Sequence, residues 1–318
     1  MKEVKLLGKA LDDPVNQKLL QTVNSLTWYH TIDLGGGILT PGFYDHRPYL
    51  DYYGLPKNIN NRSALDIGAA SGFFTFELEK RGAVVTATDL PTWLAHDFGP
   101  LYRPDLDPEQ ADRYLHGPFE FAHETLGSSA QRQLINIYDI SPDTTGMFDL
   151  VFCGSVLLHL SDPVRAMWCI QSVTREAAII ATVIQPLPGP EPQALFIGQR
   201  AGDGWWLPNR AAFEAMIECA GFKGWEWFSE FRLDYRDGGE GATHAVIRAW
   251  NTEEKPALLS DTDLPAQRKI EPLVLEDPEI LRLRSLVSAY ERLKCVRFMR
   301  WLHPYRQRIS TFIRRTTP

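Results

Sequence analysis

The most informative part of the sequence is the short stretch Asp66-Ile67-Gly68-Ala69-Ala70-Ser71-Gly72. It follows an apolar run that begins at Ala64 and precedes a helical pattern over residues 73–81. Glycines at such a turn let the backbone bend tightly and let a ligand approach the main chain. The first turn of a helix also presents N–H groups that have no partner within the helix. The stretch therefore predicts a ligand-binding turn between a strand and a helix.

Short apolar runs alternate with helical patterns over the rest of residues 63–250. The predicted strands are 64–68, 83–88, 134–138, 148–153 and 177–184, and the predicted helices are 73–81, 163–174 and 210–220. This alternation is typical of an α/β fold with a mainly parallel sheet. Two further apolar runs, 225–233 and 243–250, are joined by Asp237-Gly238-Gly239. A turn of this kind predicts a hairpin, so the last strand should run antiparallel.

Acidic residues accompany the predicted strand ends. The two glycines have the spacing G-x-x-x-G, whereas dinucleotide-binding turns have G-x-G-x-x-G. Asp66 precedes the first glycine, where a carboxylate would repel a pyrophosphate but would attract an amino group or a sulfonium. Asp89 ends the second strand and can accept hydrogen bonds from both ribose hydroxyls, and Asp139 follows the third and can accept from an adenine amino group. This pattern of glycines and acids indicates that the ligand is S-adenosylmethionine.

These elements, with the fourth strand and its small-residue exit at 148–155, resemble the class I S-adenosylmethionine-dependent methyltransferases over about residues 60–250. The resemblance implies a Rossmann-like, seven-stranded, mostly parallel sheet with an antiparallel last strand and helices on both faces. It implies cofactor contacts at Asp66, Gly68, Ala70, Gly72, Asp89, Leu90, Tyr138, Asp139, Gly154 and Ser155. The alternative interpretation is that the glycines only form a turn and that Asp89 caps a helix.

Further segments narrow the resemblance to the branch that contains the tRNA wobble-uridine carboxymethyltransferases. These segments are residues 28–45, 156–163, 206–209 and 220–222. That branch uses a carboxylated cofactor, and it has a Tyr where this chain has Leu158 and lysines in the N-terminal stretch where residues 19–56 have none. Only Arg47 lies nearby to replace them. Because a buried carboxylate needs a cation or a donor, we expect plain S-adenosylmethionine and methyl transfer.

Two histidines are the candidate general bases. His159 follows the fourth strand at the edge where parallel sheets place ligands, and His30 lies in an aromatic stretch before the core. The alternative for His159 is a residue that packs on the cofactor or caps the next helix. The alternative for His30 is a packing role in an N-terminal segment.

Four aromatic residues are predicted to contact the acceptor. Trp28 and Tyr29 stand before a Gly35-Gly36-Gly37 run that would allow a mobile lid, and Trp205 and Trp206 lie in the insertion before the helix at 210–220. The alternative is that these side chains pack in the core.

Composition and charge divide the 318 residues into four segments. The sequence predicts an N-terminal cap or lid over residues 1–62, the cofactor-binding core over 63–250, an acidic proline-containing linker over 251–279 and a basic tail over 280–318. The tail has a net charge of +9, so within a total of −7 the rest of the chain carries −16. An acidic body disfavours a general nucleic-acid surface.

The tail and the cysteines bear on location. Aromatic and aliphatic residues between the cations of the tail suit an anionic membrane surface, and the alternatives are a solvated tail or a helix docked on the acidic body. The sequence has neither an apolar span of membrane length nor an apolar N-terminal leader. The spacing of the four cysteines fits neither a zinc motif nor a disulfide framework, so we expect a cytoplasmic protein without a metal. If the tail binds lipid, the protein would be peripheral at the membrane.

Three functions follow from the sequence. The first is methyl transfer to a small-molecule or glycan acceptor, at oxygen. The second is an RNA-modifying enzyme of the wobble-uridine type whose tail binds phosphates. The third is a non-catalytic cofactor-binding module, which need not keep the glycine turn and both acids.

Overall fold

The fold is built on a seven-stranded sheet whose strands, in spatial order, are Gln131–Leu134, Val84–Asp89, Ser63–Ile67, Phe148–Gly154, Thr174–Val183, Ala242–Trp250 and Gly224–Leu233. The computed structural model describes residues 14–99, 107–198 and 204–262. The strands of the sheet are β1 (Ser63–Ile67), β2 (Val84–Asp89), β3 (Gln131–Leu134), β4 (Phe148–Gly154), β5 (Thr174–Val183), β8 (Gly224–Leu233) and β9 (Ala242–Trp250). A separate two-stranded hairpin pairs β6 (Ala194–Phe196) with β7 (Trp206–Pro208).

Helices cover both faces of the sheet. They are α1 (Pro14–Ser25), α2 (Leu50–Tyr53), α3 (Phe73–Lys80), α4 (Pro108–Leu126), α5 (Pro163–Val173) and α6 (Arg210–Ala220). Successive residues of a strand face opposite sides, so Ala64 packs with the side chains of α1 to α4, whereas Leu65 packs with those of α5 and α6. The structure confirms the predicted α/β class and the layered arrangement.

The last strand in the chain is antiparallel, as predicted. β9 lies between β5 and β8 and is antiparallel to both, while the other neighbouring strands of the sheet are parallel. Within this register His244 lies opposite Val183 of β5 and opposite Phe231 of β8. The start of β9 therefore lies at the same edge of the sheet as the carboxyl ends of the parallel strands.

The third strand lies upstream of its predicted position. The apolar run 134–138 was expected to form it, but β3 is Gln131–Leu134, and a single 3-10 turn follows over Ile137–Asp139. β3 is an edge strand, so one side of it faces solvent and polar residues are tolerated there. Ile137 is apolar because it packs in the core beneath the turn, and for that reason hydropathy misplaced the strand.

The N-terminal segment packs on the core. Its glycine run forms a closed turn, in which Leu34 N donates to Ile38 O at 2.9 Å and Ile38 N donates to Gly35 O at 3.0 Å. Gly35, Gly36 and Gly37 all have positive φ, which explains why three glycines stand there.

The first part of the predicted linker is also packed. Leu259 is buried, and Lys57 N donates to Asp261 O at 2.8 Å, so residues 251–262 lie against the domain. The remainder of the linker and the basic tail, residues 263–318, lie outside the described residues. The predicted membrane contact of the tail stays a prediction.

Two kinds of feature are absent from the described residues. No helix in that part of the chain has the length and apolarity that a membrane crossing requires. Within the same ranges, no three His, Cys, Asp or Glu side chains come together in a group that would hold a metal ion.

Candidate functional site

A cavity of about 640 Å³ opens at the carboxyl ends of the parallel strands. The loops after β1, β2 and β4 line one part of it, and the N-terminal segment and the start of β9 line another. This is the edge at which open parallel sheets bind ligands, because strand order reverses there and the loops diverge. The cavity combines residues far apart in the sequence, from Thr27 to His244.

The turn after β1 forms the floor of the cavity. Gly68 has φ +73°, and a Cβ atom at this position would lie 2.5 Å from Cγ2 of Val156. Gly68 N and Ala69 N both donate to Thr88 O, at 2.9 and 3.0 Å. A glycine is therefore required by the backbone conformation and by the close approach of the loop after β4. Ala70 also has a positive φ, +48°, so the turn is sharply bent.

Asp66 places a buried carboxyl group beneath this turn. It is 2% exposed, and its Oδ2 accepts a hydrogen bond from Thr75 Oγ1 at 2.6 Å. Burial raises the pKa of Asp66 to about 7, and the nearby negative charge of Asp89 acts in the same direction. A cation placed in the cavity beside Asp66 would stabilise its charged form.

Asp89 lies beside the turn at the end of β2. Its Oδ1 accepts from Leu90 N at 2.8 Å, and its Oδ2 accepts from Ala70 N at 2.9 Å. Burial raises the pKa of Asp89, while these two backbone donors oppose that shift. A carboxylate has about four acceptor sites, so both oxygens keep capacity for hydroxyl donors from a ligand.

The segment after β3 contributes Asn136 and Tyr138 to the cavity lining. Asp139, which the resemblance implied as the adenine acceptor, is exposed and does not line the cavity, because the 3-10 turn directs it outward. Asn136 was not predicted; it lies two residues beyond the end of β3 at Leu134, and correct placement of β3 would have found it.

Gly72 also lies outside the lining. It precedes α3 with φ +92°, and a Cβ atom there would lie 2.6 Å from Phe76 and 3.0 Å from Phe119. Its requirement for glycine comes from backbone conformation and core packing. Of the other predicted cofactor residues, seven line the cavity together with Asp66: Gly68, Ala70, Asp89, Leu90, Tyr138, Gly154 and Ser155.

The loop after β2 closes one side of the cavity. Tyr138 Oη donates to Asp97 Oδ2 at 2.8 Å, and burial raises the pKa of Tyr138 to about 12. Trp205 Nε1 donates to Asp97 O at 2.7 Å, and Trp206 Nε1 donates to Ser161 O at 3.0 Å. Neither indole lines the cavity, so the structure places both as supports of its wall, and the neighbouring Leu207 lines it instead.

The opposite side of the cavity is aromatic. Tyr29 lines it as predicted, together with Tyr44 and Tyr235, whose rings stack with centroids 4.8 Å apart. Trp28, the other predicted N-terminal contact, is 1% exposed and donates from Nε1 to Val23 O at 2.9 Å. The structure therefore places Trp28 in the core, where its ring packs edge-on against Phe121 with centroids 6.2 Å apart.

Both predicted histidines line the cavity. His159 lies in a 3-10 turn over Leu157–His159, directly after β4. His30 is 4% exposed, its Nδ1 is buried without a hydrogen-bond partner, and burial lowers its pKa to about 3. Behind it His46 Nδ1 lies 2.8 Å from Tyr53 Oη, and the His30 and His46 rings are 5.1 Å apart.

Two further histidines of the lining, His96 and His244, were not predicted. The imidazole of His244 lies on the same side of the sheet as His30, and burial lowers its pKa to about 4. The signal for it was weak, since a single histidine at the start of a strand is ordinarily a packing residue.

The charges of the lining are one-sided. It contains the carboxyl groups Asp66, Asp89 and Asp97, and among the described residues it contains neither lysine nor arginine. Arg47 is the cation that the sequence offered in place of the missing N-terminal lysines. It forms an ion pair with Asp45 through Nε at 2.8 Å and Nη2 at 2.7 Å, and it does not line the cavity.

Comparison with known proteins finds two distant relatives. A tRNA U34 carboxymethyltransferase of Campylobacter hominis is 25% identical over 183 residues, which are 57% of this chain and 54% of the relative. A second, from Pectobacterium carotovorum, is 24% identical over 169 residues, which are 52% of this chain and 45% of the relative. The chain thus spans about half the length of these relatives. No protein-family model matches it.

Solved structures are similar over more of the chain. The N-terminal domain of EvdMO1, crystallised in the presence of SAH and D-fucose, is similar with a TM-score of 0.50 and 17% identity. The similarity covers 76% of this chain and 99% of that domain. At this identity the similarity establishes the fold, and it agrees with the strand order and the antiparallel last strand. The chain therefore has the fold of the class I S-adenosylmethionine-dependent methyltransferases.

Proposed function

We propose that this protein binds S-adenosylmethionine and transfers its methyl group to an oxygen atom of a neutral small-molecule or glycan acceptor. The observation that carries the proposal is Asp66, a buried carboxyl group that faces the cavity and has neither lysine nor arginine among the described lining residues. Such a group is costly unless a ligand supplies the positive charge.

The residues of the cavity suit this cofactor. Asp66 would hold the ammonium group, and Asp89 would accept from the ribose hydroxyls with the acceptor sites that Leu90 N and Ala70 N leave open. The Gly68 turn lets the cofactor approach the backbone, since a side chain there would meet Val156. Asn136 and Tyr138 would line the base. The bound cofactor supplies an activated methyl group, so the protein mainly orients the acceptor and removes a proton.

The absence of cations from the described lining favours plain S-adenosylmethionine over a carboxylated form. A second carboxylate would lie among Asp66, Asp89 and Asp97 without a basic partner there, and Leu158 offers it no donor. The same distribution disfavours an RNA acceptor, whose phosphates need clustered cations. The alternative of wobble-uridine carboxymethyl transfer rests on relatives of which the chain spans about half.

The aromatic side of the cavity supports a neutral acceptor. Flat rings such as the Tyr44–Tyr235 pair suit the apolar face of a sugar or another ring. The histidines on this side, His30 and His244, are held neutral by burial, so they offer hydrogen bonds without charge. His159 and His30 are the general-base candidates that the sequence predicted.

Calorimetry with S-adenosylmethionine and S-adenosylhomocysteine tests cofactor binding. We expect binding of both by the wild type and a loss of at least tenfold in affinity for Asp66→Asn, which keeps the shape but not the charge. Asp139→Asn is the matched control, because Asp139 is exposed outside the cavity. Absence of binding by the wild type would refute the proposal.

Methyl transfer is tested with isotope-labelled S-adenosylmethionine and a panel of neutral monosaccharides and phenols. D-fucose belongs in the panel because it was present in the EvdMO1 crystals. Label that appears as a methoxy group in the carbon NMR spectrum of the product supports transfer to oxygen. Tight cofactor binding without transfer to any member would favour the non-catalytic module.

A further inference from the structure

We propose that His244 is a catalytic residue that accepts the hydroxyl proton of the methyl acceptor through Nε2. This inference rests on the proposed function and deepens it. His244 combines three features: a fixed ring, a fixed tautomer and a position on the side of the cavity away from the glycine turn.

The position of His244 follows from the sheet. It is the third residue of β9 and lies opposite Val183, at the carboxyl end of β5. The predicted cofactor residues lie at the carboxyl ends of β1 to β4, whereas His244 lies on β9, three strands beyond β1, and lines the cavity next to Val183 and Ala242. That side of the cavity is where an acceptor would lie.

The tautomer of His244 follows from its hydrogen bond. Nδ1 lies 3.0 Å from Ala242 O. A carbonyl oxygen can only accept, so Nδ1 carries the hydrogen. A neutral imidazole has one N–H group, and Nε2 therefore presents a lone pair.

The ring is also held in orientation and charge state. Phe231 stacks on it with centroids 5.6 Å apart and an interplanar angle of 20°. The residue is 4% exposed, and burial lowers its pKa to about 4, so the acceptor meets a neutral imidazole at neutral pH. The contrast with His30 is clear, because the buried Nδ1 of His30 has no partner to fix its tautomer.

His96 is held in a similar way but lies elsewhere. Its Nδ1 is 2.8 Å from Trp93 O, on the loop after β2. β2 lies on the far side of β1 from β5 and β9, so His96 lies above the nucleoside half of the predicted cofactor site.

The proposed step conserves atoms and charge. The acceptor oxygen forms a bond to the methyl carbon as the carbon–sulfur bond breaks, and its proton passes to Nε2 of His244. The products are a methyl ether, a neutral thioether and an imidazolium, which returns its proton to water when the product leaves. Burial makes this imidazolium a strong acid, so it is short-lived.

Two substitutions separate base catalysis from simple binding. His244→Asn places an amide near the position of Nδ1, which can still donate to Ala242 O, and removes Nε2. His244→Gln can place an amide oxygen near the position of Nε2, where it accepts a hydrogen bond but not a proton. His123→Gln is the control, because His123 is also bound to a carbonyl, Ala130 O at 2.9 Å, and stacked on a phenylalanine, but does not line the cavity.

The first readouts do not depend on turnover. Nitrogen NMR of the wild type with S-adenosylhomocysteine should show Nδ1 of His244 protonated and Nε2 unprotonated at neutral pH. Saturation-transfer NMR should show binding of at least one neutral monosaccharide of the panel to that complex. His244→Asn should lose this binding and keep its affinity for S-adenosylhomocysteine within about twofold, as His123→Gln keeps both. Both His244 variants should lower transfer by about 10²–10⁴, the usual contribution of a general base.

The contrary outcomes are distinct. A tautomer with the proton on Nε2, a His244→Asn variant that binds and methylates like the wild type, or a wild-type complex that binds no member of the panel would overturn the role of His244. Full transfer by His244→Gln would overturn proton transfer as well, since an amide is not a base at this pH. Failure of the wild type to bind the cofactor would instead refute the proposed function.

Discussion

The carboxylate of Asp89 is 2.9 Å from the backbone nitrogen of Ala70, nineteen residues earlier in the chain. The acid at the end of β2 therefore holds the bent turn after β1 in place as well as facing the cavity. Its second oxygen accepts from Leu90 N, so one side chain organises two loops. A ribose bound by Asp89 would be positioned relative to the glycine turn through a single rigid group.

Replacement of Asp89 tests this arrangement. Asp89→Ala removes the acceptor of two backbone N–H groups and of the proposed ribose hydroxyls, so affinity for S-adenosylhomocysteine should fall by about 1.5–3 kcal/mol. The melting temperature of the ligand-free protein should also fall. Asp139→Ala, outside the cavity, should change neither quantity in the same calorimetry and melting experiments. Unchanged affinity in Asp89→Ala would remove it from the site.

Comparison of Gly68 with Gly146 distinguishes the energetic cost of backbone strain from that of a side-chain clash. Gly68 and Gly146 both have positive φ, +73° and +90°, but a Cβ atom would meet Val156 at Gly68 and nothing within 4 Å at Gly146. Gly146→Ala should cost about 1–2 kcal/mol of unfolding free energy, from φ alone. Gly68→Ala should cost more and should weaken cofactor binding, and the double change with Val156→Ala should recover part of the stability. If urea unfolding gives the same loss of free energy for Gly68→Ala and Gly146→Ala, the loop after β4 moves to accommodate the added methyl group.

The raised pKa of Asp66 predicts an unusual pH dependence. The folded protein holds this proton to about pH 7, whereas the unfolded chain releases it near the ordinary value of 3.8. Stability therefore falls as pH rises from about 4 to about 7, at up to about 1.4 kcal/mol per pH unit. Asp66→Asn should be more stable than the wild type at pH about 8 and equal to it at pH about 4.

The affinity for the cofactor should also depend on the ionisation of Asp66, but it should rise with pH where the stability falls. An ammonium group favours the ionised carboxylate, so affinity for S-adenosylhomocysteine should rise as pH passes through about 7. Calorimetry from pH about 6 to about 8 should show this rise in the wild type and a flat profile in Asp66→Asn. A flat profile in both proteins would mean that Asp66 does not touch the cofactor.

The buried histidines predict sensitivity to acid. Burial lowers the pKa of His30 to about 3 and that of His244 to about 4, and it holds the pKa of His46 well below its ordinary value of 6.5. The stability that depends on their neutral forms is complete above pH about 6.5 and is lost as pH falls toward 4. Urea titration should show a smaller slope of unfolding free energy against pH in His30→Gln than in the wild type between pH about 6.5 and about 4. The difference should correspond to about one bound proton. An unchanged slope would show that His30 is solvated.

The basic tail gives a prediction that concerns binding to a surface. The full chain should sediment with anionic vesicles at low salt and be released as salt rises, because surface cations contribute about 1 kcal/mol each near acidic lipid. A chain ending at Thr262 should stay in the supernatant and keep cofactor binding, since His244 is the last of the described residues that line the cavity. Binding to RNA with a steep salt dependence would favour the nucleic-acid alternative instead.

The fold was predictable because its signals are local. The Gly68 turn, the acids at strand ends and the hairpin before β9 are each visible in a few neighbouring residues. β3 was misplaced because an edge strand exposes one side and has no apolar run of its own. The acidic residues and four prolines of 251–279 predict a linker, whereas its first part, residues 251–262, packs on the domain through the buried Leu259.

The acceptor side was predictable only in part. Tyr29 and His30 were predicted from an aromatic cluster, but Trp28 packs in the core against Phe121, a residue far from it in the sequence. Trp205 and Trp206 support the wall through their indole N–H groups. His244 was missed because its place in the cavity depends on the pairing of β9 with β5, a contact across sixty residues that no local pattern reports.

The reversed direction of β9 has a consequence for how the protein could diversify. Because β9 runs against its neighbours, the hairpin that joins it to β8 lies at the mouth of the cavity, where it contributes Tyr235. Gly241 and Arg236 are fixed, because a Cβ atom at Gly241 would meet Leu233 O and because Arg236 donates to Thr40 O. The exposed tip at 237–240 lies outside the paired backbone of the sheet and can change without disturbing it. Acceptor choice can thus be altered at this hairpin while Asp66, Gly68 and Asp89 remain fixed on the opposite side, so selectivity and cofactor binding are free to evolve separately.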